Sequence, residues 1–566
     1  MKMTFQNYTY ERLDMTVFSA AFNTALSTFQ RAATFVEQDA ALEGIVVLRT
    51  EFESMATICS IRHTIDTKDA FYEDENDYCD EISPNYQELI NVFYKSLLGA
   101  TFRTELEKKW GKQLFIIAEL ALKTFEPSIL TDLQEENKLT SEYTKLNSSS
   151  RIEFRGEVYN ATGMVPFEQS DDRTTRREAA EAKWNWYLCN GETYDRIFDD
   201  LTRVRTRIAH TLGYKNFVEL AYVRMGRSDY NAADVARYRQ QIYEYIVPIA
   251  TKLRERQQRR LGYDTLYYYD EVYEFATGNP KPKGSPDWIV KNAETMYREL
   301  APETDEFFQY MQDYNLMDLQ NRDTKAPGGY CTVISNHKSP FIFANFNGTT
   351  HDVEVLTHEA GHAFQVFQSR NFGVPEYHFP TYEACEIHSM SMEFLTWPWM
   401  KLFFEEDTEK FMFAHLSGAL LFLPYGVAVD EFQHWIYENA TASPQERCDA
   451  WRKMEKKYLP HRNYEGNEHL QAGGWWHKQS HIYQNPFYYI DYTLAQICAF
   501  QFWKRSRENR EQAWADYLRL CKAGGSMSFL ELVNLAGLRS PFEDGCLKSV
   551  VGDIEAWIDS IDDSKF

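Results

Sequence analysis

One five-residue segment, His358-Glu-Ala-Gly-His362, constrains this chain more than any other part of its sequence. On an α-helix, residues four positions apart lie one turn apart on the same face. Both imidazoles can therefore reach one metal ion, while Glu359 lies beside the open side of that ion. Two histidines and a neighbouring glutamate in this pattern are typical of zinc hydrolases, in which the glutamate is the general base. The segment predicts a metal-binding helix.

The residues around this segment support such a helix. Thr349 and Thr350 can cap its start, and Asp352 and Glu354 fall in a first turn that favours acids. Gly361 lies in the helix interior, where glycine costs about 1 kcal/mol relative to alanine. We therefore expect another part of the chain to come close at Gly361. The alternative, two core histidines satisfied by hydrogen bonds, is less consistent with these flanks.

The composition is that of a well-packed globular enzyme. With 566 residues, the chain exceeds the size at which a single core usually stops growing, so we expect at least two lobes. Hydrophobic residues make up 44% of the chain and aromatic residues 15%, which argues against a disordered protein. The net charge of -24 argues against a nucleic-acid partner, because a phosphate backbone requires clustered Lys and Arg.

Several features indicate a cytoplasmic protein that does not contact a membrane. The nine cysteines form an odd set without a C-x-x-C pair, as expected for reduced thiols in a cytosol. The first ten residues have no apolar core of signal-peptide length. The stretch 411–429 is apolar enough to suggest a membrane span, but it contains His415 and Pro424. We predict a buried pair of helices broken at Pro424.

Helical periodicity dominates the chain, and the predicted fold class is mostly α. Amphipathic helices fill residues 1 to about 145, for example 18–35 and 42–65. A brief strand or hairpin at 152–159 precedes further helices, which resume near Arg173. We therefore predict a helical N-terminal lobe over residues 1–172 and a catalytic lobe over residues 173–566.

A β-hairpin is predicted directly before the metal helix. Two runs of β-branched or aromatic residues, 330–334 and 341–346, are joined by Ser335-Asn-His-Lys-Ser-Pro340. The unpaired backbone groups of an edge strand can bind an extended peptide. We expect the second strand to bind a peptide in this way, through the residues Phe343, Ala344, Asn345 and Phe346. The alternative is that the hairpin is purely structural, but the position of the hairpin beside the motif argues against this alternative.

A catalytic zinc site needs a third protein ligand, which we expect on a second helix facing the first. The segment 381–395 is apolar nearly all round, which indicates burial, except for a stripe formed by Glu386, Ser389 and Glu393. Buried acids need partners, and a metal with its histidine ligands provides them. We assign Glu386 as the ligand and expect Ser389 and Glu393 to orient the ligands. Glu383, one turn earlier, is the rival ligand.

The sequence around these residues resembles a known family. Three runs closely resemble the oligoendopeptidase F and Pz-peptidase branch of the thimet oligopeptidase family of zinc metallopeptidases: Tyr330-Cys-Thr-Val-Ile-Ser335, Ser339-Pro-Phe-Ile-Phe-Ala-Asn-Phe-Asn-Gly-Thr-Thr350 and Asp352-Val-Glu-Val-Leu-Thr-His-Glu-Ala-Gly-His362. The resemblance extends from about Arg173 to the end of the chain and weakens toward the N-terminus. It implies a two-lobed helical, zincin-like peptidase with a small β-sheet beside the active-site helix. It also implies a deep central channel that admits short peptides and excludes folded proteins.

The resemblance bears on the third ligand as well. In this family the third ligand is a glutamate about 25 residues beyond the second histidine, and another glutamate follows seven residues later. Glu386 lies 24 residues after His362, and Glu393 follows seven residues later. This spacing matches the family pattern and favours Glu386 over Glu383.

A second cluster of chemical interest lies at 473–492. The family places a histidine and two or more tyrosines here, which carries over to His481, Tyr489 and Tyr492. Tyr489 and Tyr492 face the same way on a helix, and all three can donate hydrogen bonds to the oxyanion of peptide hydrolysis. Because the spacing is one residue shorter than in the family, Tyr488 and Tyr483 are possible substitutes, and we include Tyr488 among the substrate-binding residues. Core packing of the aromatic rings is the alternative.

These residues predict a zinc-dependent endopeptidase with one Zn²⁺ per chain, which hydrolyses internal bonds of short, unstructured oligopeptides in the cytosol. Glu359 takes the proton of the attacking water and delivers it to the leaving amine. One alternative is an exopeptidase that releases C-terminal dipeptides, which needs a cationic anchor for the free carboxylate. Another is a peptide-binding protein without catalysis, against which the retained Glu359 argues. The sequence does not predict an oligomeric state.

Overall fold

The predicted metal-binding segment lies inside a long helix, His351–Ser369, in a chain that is mostly helical, as predicted. The structure, a computed structural model, describes residues 3–161, 163–322, 324–326 and 328–566. Its strands are β1 (Ile152–Phe154), β2 (Glu157–Tyr159), β3 (Met317–Gln320), β4 (Tyr330–Ile334) and β5 (Ser339–Phe346).

The helices divide into three sets along the chain. Those before β1 are α1 (Met15–Arg31), α2 (Phe35–Ile65), α3 (Ala70–Leu98), α4 (Arg103–Trp110), α5 (Lys112–Leu122) and α6 (Leu130–Ser148). Those between β2 and β3 are α7 (Val165–Glu168), α8 (Arg173–Cys189), α9 (Gly191–Thr211), α10 (Phe217–Arg224), α11 (Ala232–Gln241), α12 (Val247–Leu261), α13 (Pro286–Leu300) and α14 (Pro302–Asp313). Those after β5 are α15 (His351–Ser369), α16 (Tyr382–Leu395), α17 (Lys401–Phe404), α18 (Thr408–Glu438), α19 (Pro444–Tyr458), α20 (Glu468–Gln471), α21 (Ser480–Gln484), α22 (Tyr489–Glu508), α23 (Arg510–Ala523), α24 (Phe529–Leu535) and α25 (Cys546–Ser560).

Local side-chain chemistry sets where many of these helices begin. Thr34 and Glu37 form a capping box at the start of α2, because each side chain accepts a hydrogen bond from the backbone of the other. The α15 helix differs from the prediction. The Thr350 hydroxyl donates to the Pro280 carbonyl instead of capping α15. Asp352 stabilises this turn instead, since its carboxylate accepts the backbone N–H groups of residues 347 and 348, each at 2.8 Å.

Two small sheets interrupt the helices. The predicted hairpin at 152–159 is confirmed as the antiparallel pair β1 and β2. The hairpin before α15 is also confirmed as the antiparallel pair β4 and β5, and β3 adds a parallel strand that the sequence did not predict. The strand order is β3-β5-β4, so β4 is an edge strand and β5 is central.

The central position of β5 corrects one prediction. Phe343 pairs with β3 on one side and with β4 on the other, so its backbone is not open to a peptide. Phe346 pairs with β3, and Ala344 is fully buried. Asn345 donates through Nδ2 to the carbonyls of residues 326 and 328, which holds the segment before β4. The prediction that these four residues bind a peptide as an edge strand is wrong, because β3 and the segment before β4 already cover β5.

The long apolar helix α18 contains Pro424 without ending there, so the predicted break is wrong. Proline in a helix costs about 3 kcal/mol. Leu423 and Val427 on the same helix are fully buried, and burying one such side chain contributes about 1.5–3 kcal/mol, which offsets that cost. By length and composition, Lys401–Glu438 could cross a membrane, but 61% of its most apolar window is buried inside the protein.

Two large hydrophobic cores organise the packing of the described residues, and a small separate cluster is formed by Ile152, Phe154, Met164 and Ala179. The smaller of the two large cores lies among α1, α2, α3 and α5 and includes Val374 and Tyr377 from the catalytic half. The larger of the two extends through most of the remaining chain and includes residues from α6 and from the first helical turn, such as Tyr143 and Phe5. The lobe boundary at residue 172 stays a prediction.

Three helices build the centre of the larger core. α15 packs against α16, and α16 packs against α22. At Gly361 the α15 backbone comes so close to α16 that a Cβ atom would lie 2.7 Å from the His388 carbonyl oxygen and 2.7 Å from the Ser389 Cα. The sequence-based expectation of a close approach at this glycine is confirmed.

We expect Gly361→Ala to destabilise the protein, although alanine favours a helix by about 1 kcal/mol. The added methyl group meets backbone atoms of α16, and overpacking of this kind costs about 1–3 kcal/mol. Gly44→Ala is the matched control, because Gly44 lies inside α2 with no atom within 4 Å of its Cβ position. Thermal unfolding should show a lower Tm for Gly361→Ala and an unchanged or higher Tm for Gly44→Ala. A Gly361→Ala variant as stable as the parent would contradict the close contact.

Candidate active site

His358, His362 and Glu386 converge at the contact between α15 and α16. The Oε2 atom of Glu386 lies 3.3 Å from Nε2 of His358 and 3.6 Å from Nε2 of His362. One donor atom of each residue lies within 4.8 Å of the other two. The Glu386 side chain is 6% exposed, and the two imidazoles are 25% and 12% exposed. This is a buried cluster of three donors with one open side.

Hydrogen bonds hold Glu386 in place from two directions. Ser389 donates to its Oε2 atom at 3.0 Å, and the Tyr488 hydroxyl donates to its Oε1 atom at 2.9 Å. Burial disfavours the carboxylate, but the two imidazoles beside it outweigh this effect and hold the pKa of Glu386 well below its ordinary value. Glu386 is therefore a charged, oriented oxygen donor. The sequence predicted Ser389 in this role but did not predict the contact from Tyr488.

A chain of hydrogen bonds fixes the ring of His358. Glu393 accepts from Nδ1 of His358 at 2.7 Å and from Nε2 of His415 at 2.7 Å. The Trp397 indole donates to Nδ1 of His415 at 3.1 Å. Because an indole can only donate, His415 carries its proton on Nε2 and Glu393 accepts from both imidazoles. His358 therefore carries its proton on Nδ1, which leaves Nε2 free to bind a metal.

Sequence reasoning predicted the position of Glu393 but missed the roles of His415 and Trp397. Both are distant from the motif in sequence, and only the packing of α18 against the core brings His415 to Glu393. A histidine in a long, strongly apolar helix was the available signal. Burial lowers the pKa of His415, but the hydrogen bond that His415 donates to Glu393 outweighs this effect and raises the pKa above 6.5.

Glu359 lies beside the cluster as a buried acid. It is 8% exposed, and its Oε2 atom has no hydrogen bond within the described part of the chain. Burial raises its pKa above the ordinary value of 4.5. An unpaired, buried carboxylate with a raised pKa suits a group that takes and returns a proton. A Cβ atom on Gly329 would lie 3.6 Å from Glu359 Oε1, so the backbone before β4 reaches this carboxylate.

The predicted aromatic cluster also reaches this place. The ring of His481 lies 4.8 Å from that of Tyr489 and 5.9 Å from those of Tyr492 and Tyr488, centre to centre. Burial raises the pKa values of Tyr489 and Tyr492 above 10, so both hydroxyls keep their protons. Tyr483 does not take part, because it is fully buried in the aromatic core.

The tautomer of His481 is fixed by its neighbours. The Tyr425 hydroxyl donates to Oε1 of Gln479 at 2.6 Å, which leaves the amide Nε2 of Gln479 to donate to Nδ1 of His481 at 2.9 Å. His481 therefore carries its proton on Nε2. Burial lowers the pKa of His481 below 6.5, so the ring is a neutral hydrogen-bond donor at neutral pH. Sequence reasoning missed Tyr425 and Gln479.

Glu383, the rival ligand, lies elsewhere. It is fully buried and contributes no donor atom to the cluster of three. Burial and the nearby Asp491 raise its pKa to about 8, while Arg227 acts in the opposite sense. Arg227 forms a 2.7 Å ion pair with Asp491, and both side chains are fully buried. Glu383 is therefore a neutral acid inside the core at pH 7.

Two cavities meet at the cluster. One has a volume of about 820 Å³ and the other about 810 Å³, and Gly329, His358, Glu359 and Tyr492 line both. His481 and Tyr489 line the first, while His362, Glu386 and Tyr488 line the second. The edge strand β4 runs beside them, with Tyr330 and Cys331 lining the second cavity. An extended chain can therefore pass Glu359 with room on both sides.

Comparisons with known proteins agree with this geometry. Residues 5–125 match the peptidase M3 N-terminal domain, and residues 291–551 match peptidase family M3. The chain is 24% identical over 442 residues to an oligoendopeptidase F homologue from Borreliella burgdorferi, with 72% of this chain and 70% of that protein covered.

Solved structures of high identity extend the match to the whole chain. A structure of Pz peptidase A with an inhibitor is 58% identical, with a TM-score of 0.94, and the match covers 99% of this chain and 100% of that one. A structure from Bacillus anthracis strain Ames, assigned to oligoendopeptidase F, is 55% identical with a TM-score of 0.90 and full coverage of both chains. These identities over the full length, with both parts of the M3 family matched, confirm the family that the sequence motifs resemble. The chain belongs to the M3 family of metallopeptidases.

Proposed function

We propose that this metallopeptidase is a zinc-dependent endopeptidase that cleaves internal bonds of short, unstructured oligopeptides. One observation carries the proposal: the cluster of His358, His362 and Glu386, with Glu359 beside it, lies where two cavities meet. A peptide bond placed there has substrate on both sides. Membership of the M3 family supports a peptidase, and the two-sided site supports cleavage inside a peptide.

The three donors fit a zinc ion. Two imidazole nitrogens and one carboxylate oxygen are a usual catalytic zinc set, and ligands in a tetrahedral zinc site lie about 3.3 Å apart. Glu386 Oε2 lies 3.3 Å and 3.6 Å from the two imidazole nitrogens, which agrees with that spacing. His358, His362 and Glu386 would hold the ion. Zinc held there supplies Lewis acidity, which polarises a carbonyl group and makes water a stronger nucleophile at neutral pH.

The other residues have separate roles in the proposal. Glu359 takes a proton from the attacking water and delivers it to the leaving amine. His481 donates through Nε2 to the oxyanion, together with the hydroxyls of Tyr489 and Tyr492. The β4 edge and Gly329 bind the backbone of the extended peptide, in place of the β5 residues that the sequence suggested. Tyr488 holds Glu386 and lines the second cavity, so it contacts both the ligand and the substrate.

We also propose that the enzyme acts in the cytosol. All nine cysteines carry free thiols, and Cys59, Cys498, Cys521 and Cys546 are buried where they pack as small apolar groups. A reducing compartment keeps such thiols unmodified.

A library of quenched fluorescent peptides tests the proposal. Peptides graded in length and blocked at both ends should be cleaved at internal bonds, and a chelator should stop the reaction. Glu359→Gln should bind zinc as the parent does and lose about 10²–10⁴-fold in kcat, because general acid–base catalysis supplies that much. If the enzyme only releases dipeptides from peptides with a free C-terminus, it is an exopeptidase and the proposed endopeptidase activity is wrong. Turnover near the parent rate in Glu359→Gln would refute the role of Glu359.

Glu383→Gln distinguishes the buried acid from the ligand. Because the folded-state pKa of Glu383 is raised from 4.5 to about 8, its contribution to stability is complete below pH 4.5 and is lost as the pH rises through 8. Glutamine keeps the neutral shape, so the Tm of Glu383→Gln should match the parent at about pH 5 and exceed it at about pH 9. Zinc content should be unchanged in Glu383→Gln and reduced in Glu386→Gln. The opposite pattern of zinc contents would make Glu383 the third ligand.

His415→Phe tests the chain of hydrogen bonds behind His358. Removing the Nε2 donor leaves Glu393 with one partner fewer, so its hold on the His358 ring weakens. We expect zinc affinity to fall about 10–100-fold, as for other residues that orient metal ligands. His415→Gln retains an N–H donor and should restore much of the affinity. Competition with a fluorescent chelator measures the dissociation constant, and an unchanged value in folded His415→Phe would show that Glu393 needs no second partner.

A further inference from the structure

Arg224, at the end of α10, lines the 810 Å³ cavity but belongs to none of the groups described above. Its side chain is 20% exposed. The acids and histidines that also line this cavity in the described part of the chain are His358, Glu359, His362, Glu376 and Glu386. Arg224 is therefore the one permanent cation among them.

The charge of Arg224 is not fully balanced by the protein. Its Nη1 atom donates to Glu136, at 3.1 Å from Oε2 and 3.3 Å from Oε1. The same carboxylate accepts from Nε of Arg205 at 2.7 Å, and Arg205 is fully buried. Two guanidinium groups thus share one carboxylate. The Nη2 atom of Arg224 has no hydrogen-bond partner within the described part of the chain.

The acids of the cavity do not supply the missing charge. Glu376 forms a 2.7 Å ion pair with Arg49 and accepts a hydrogen bond from Tyr94. Glu386 is held by the two histidines. A partly buried cation with half a counter-ion is stabilised when an anion from outside completes the pair. The cavity beside the scissile bond is where such an anion can enter.

The α5 part of the cavity wall fits the rest of a peptide. Gln113 of α5 lines it, is 4% exposed, and has no partner for its Oε1 atom within the described residues. This oxygen can accept a peptide N–H. Next to it lie apolar side chains of α5, namely Ile117, Leu120 and Ala121. The cavity therefore offers a cation, a backbone acceptor and an apolar wall.

We infer that Arg224 anchors a carboxylate of the peptide substrate, either its C-terminus or an acidic side chain, on the α5 side of the scissile bond. The inference rests on the proposed peptidase function, because it places a peptide in the cavity that meets Glu359. The anchor selects among oligopeptides by the distance from the cleaved bond to the carboxylate. It does not take part in the proton transfers.

Binding to the Glu359→Gln variant tests the anchor without turnover. Three kinds of fluorescent peptide built on one parent sequence are compared by anisotropy. They are the C-terminal acid, its C-terminal amide, and a series of amides in which one Asp replaces each of the last residues in turn. We expect the acid, or one Asp peptide, to bind about tenfold more tightly than the plain amide. Adding Arg224→Gln should remove this preference and leave the affinity for the amide unchanged. The acid and Asp arms show which carboxylate is bound.

Arg207→Gln is the matched control, since Arg207 pairs with Asp132 and Glu135 and does not line the cavity. The Arg207→Gln variant should keep the preference for the peptide that carries the carboxylate. Equal affinities of all three peptides for the chain with Arg224 intact would overturn the inference, and that comparison does not depend on the folding of a variant. An equal loss for every peptide in Arg224→Gln would overturn it as well. Failure of the parent to cleave any peptide would instead remove the proposed function and leave the binding comparison valid.

Discussion

The contact between the α15 and α16 backbones at Gly361 is the constraint on which the rest of the site depends. Two of the three candidate ligands come from α15 and the third from α16, so the distance between these helices sets the distance between the donors. Any side chain at position 361 would occupy the space of the His388 carbonyl and the Ser389 Cα. Glycine is unfavourable inside a helix, but here it permits a distance between α15 and α16 at which Glu386 reaches both imidazoles. α22 also packs against α16, and Tyr488, which directly precedes α22, donates a hydrogen bond to the same carboxylate.

A second constraint fixes which nitrogen of each active-site imidazole carries the proton. A histidine has two tautomers, and each is selected by what its other nitrogen contacts. Trp397 selects the tautomer of His415, which through Glu393 selects that of His358. On the opposite side of the site, Tyr425 orients Gln479, which selects the tautomer of His481. Both imidazoles therefore present the correct nitrogen before a substrate arrives, one as a donor of electrons to a metal and the other as a donor of a hydrogen bond.

Local and periodic features were predictable from the sequence, and long-range packing was not. Helix dominance, both hairpins, and the convergence of Glu386, Ser389 and Glu393 on one face follow from residue spacing. The central position of β5 depends on β3, whose pairing partner lies more than twenty residues away in the sequence, and no local pattern predicts that pairing. His415 and Gln479 acquire their roles only because α18 and the loop before α21 pack beside the histidines. The error at Pro424 has the same origin, because burial in the core decides whether a helix continues through a proline.

The two cavities differ in charge, and this difference gives the site a direction. Glu274, Glu354 and Lys281 line the 820 Å³ cavity. In the 810 Å³ cavity, Glu376 is paired with Arg49 and Glu386 lies between two histidines, which leaves Arg224 to attract a carboxylate. A short peptide is positive at its N-terminus and negative at its C-terminus. With Arg224 as a carboxylate anchor, attraction of the negative end favours one orientation of the peptide across Glu359. Direction matters to this chemistry because Glu359 must return its proton to the amine on one side of the broken bond. A reversed peptide would present its carbonyl carbon and its leaving nitrogen in exchanged positions, away from the donors on His481 and Tyr492.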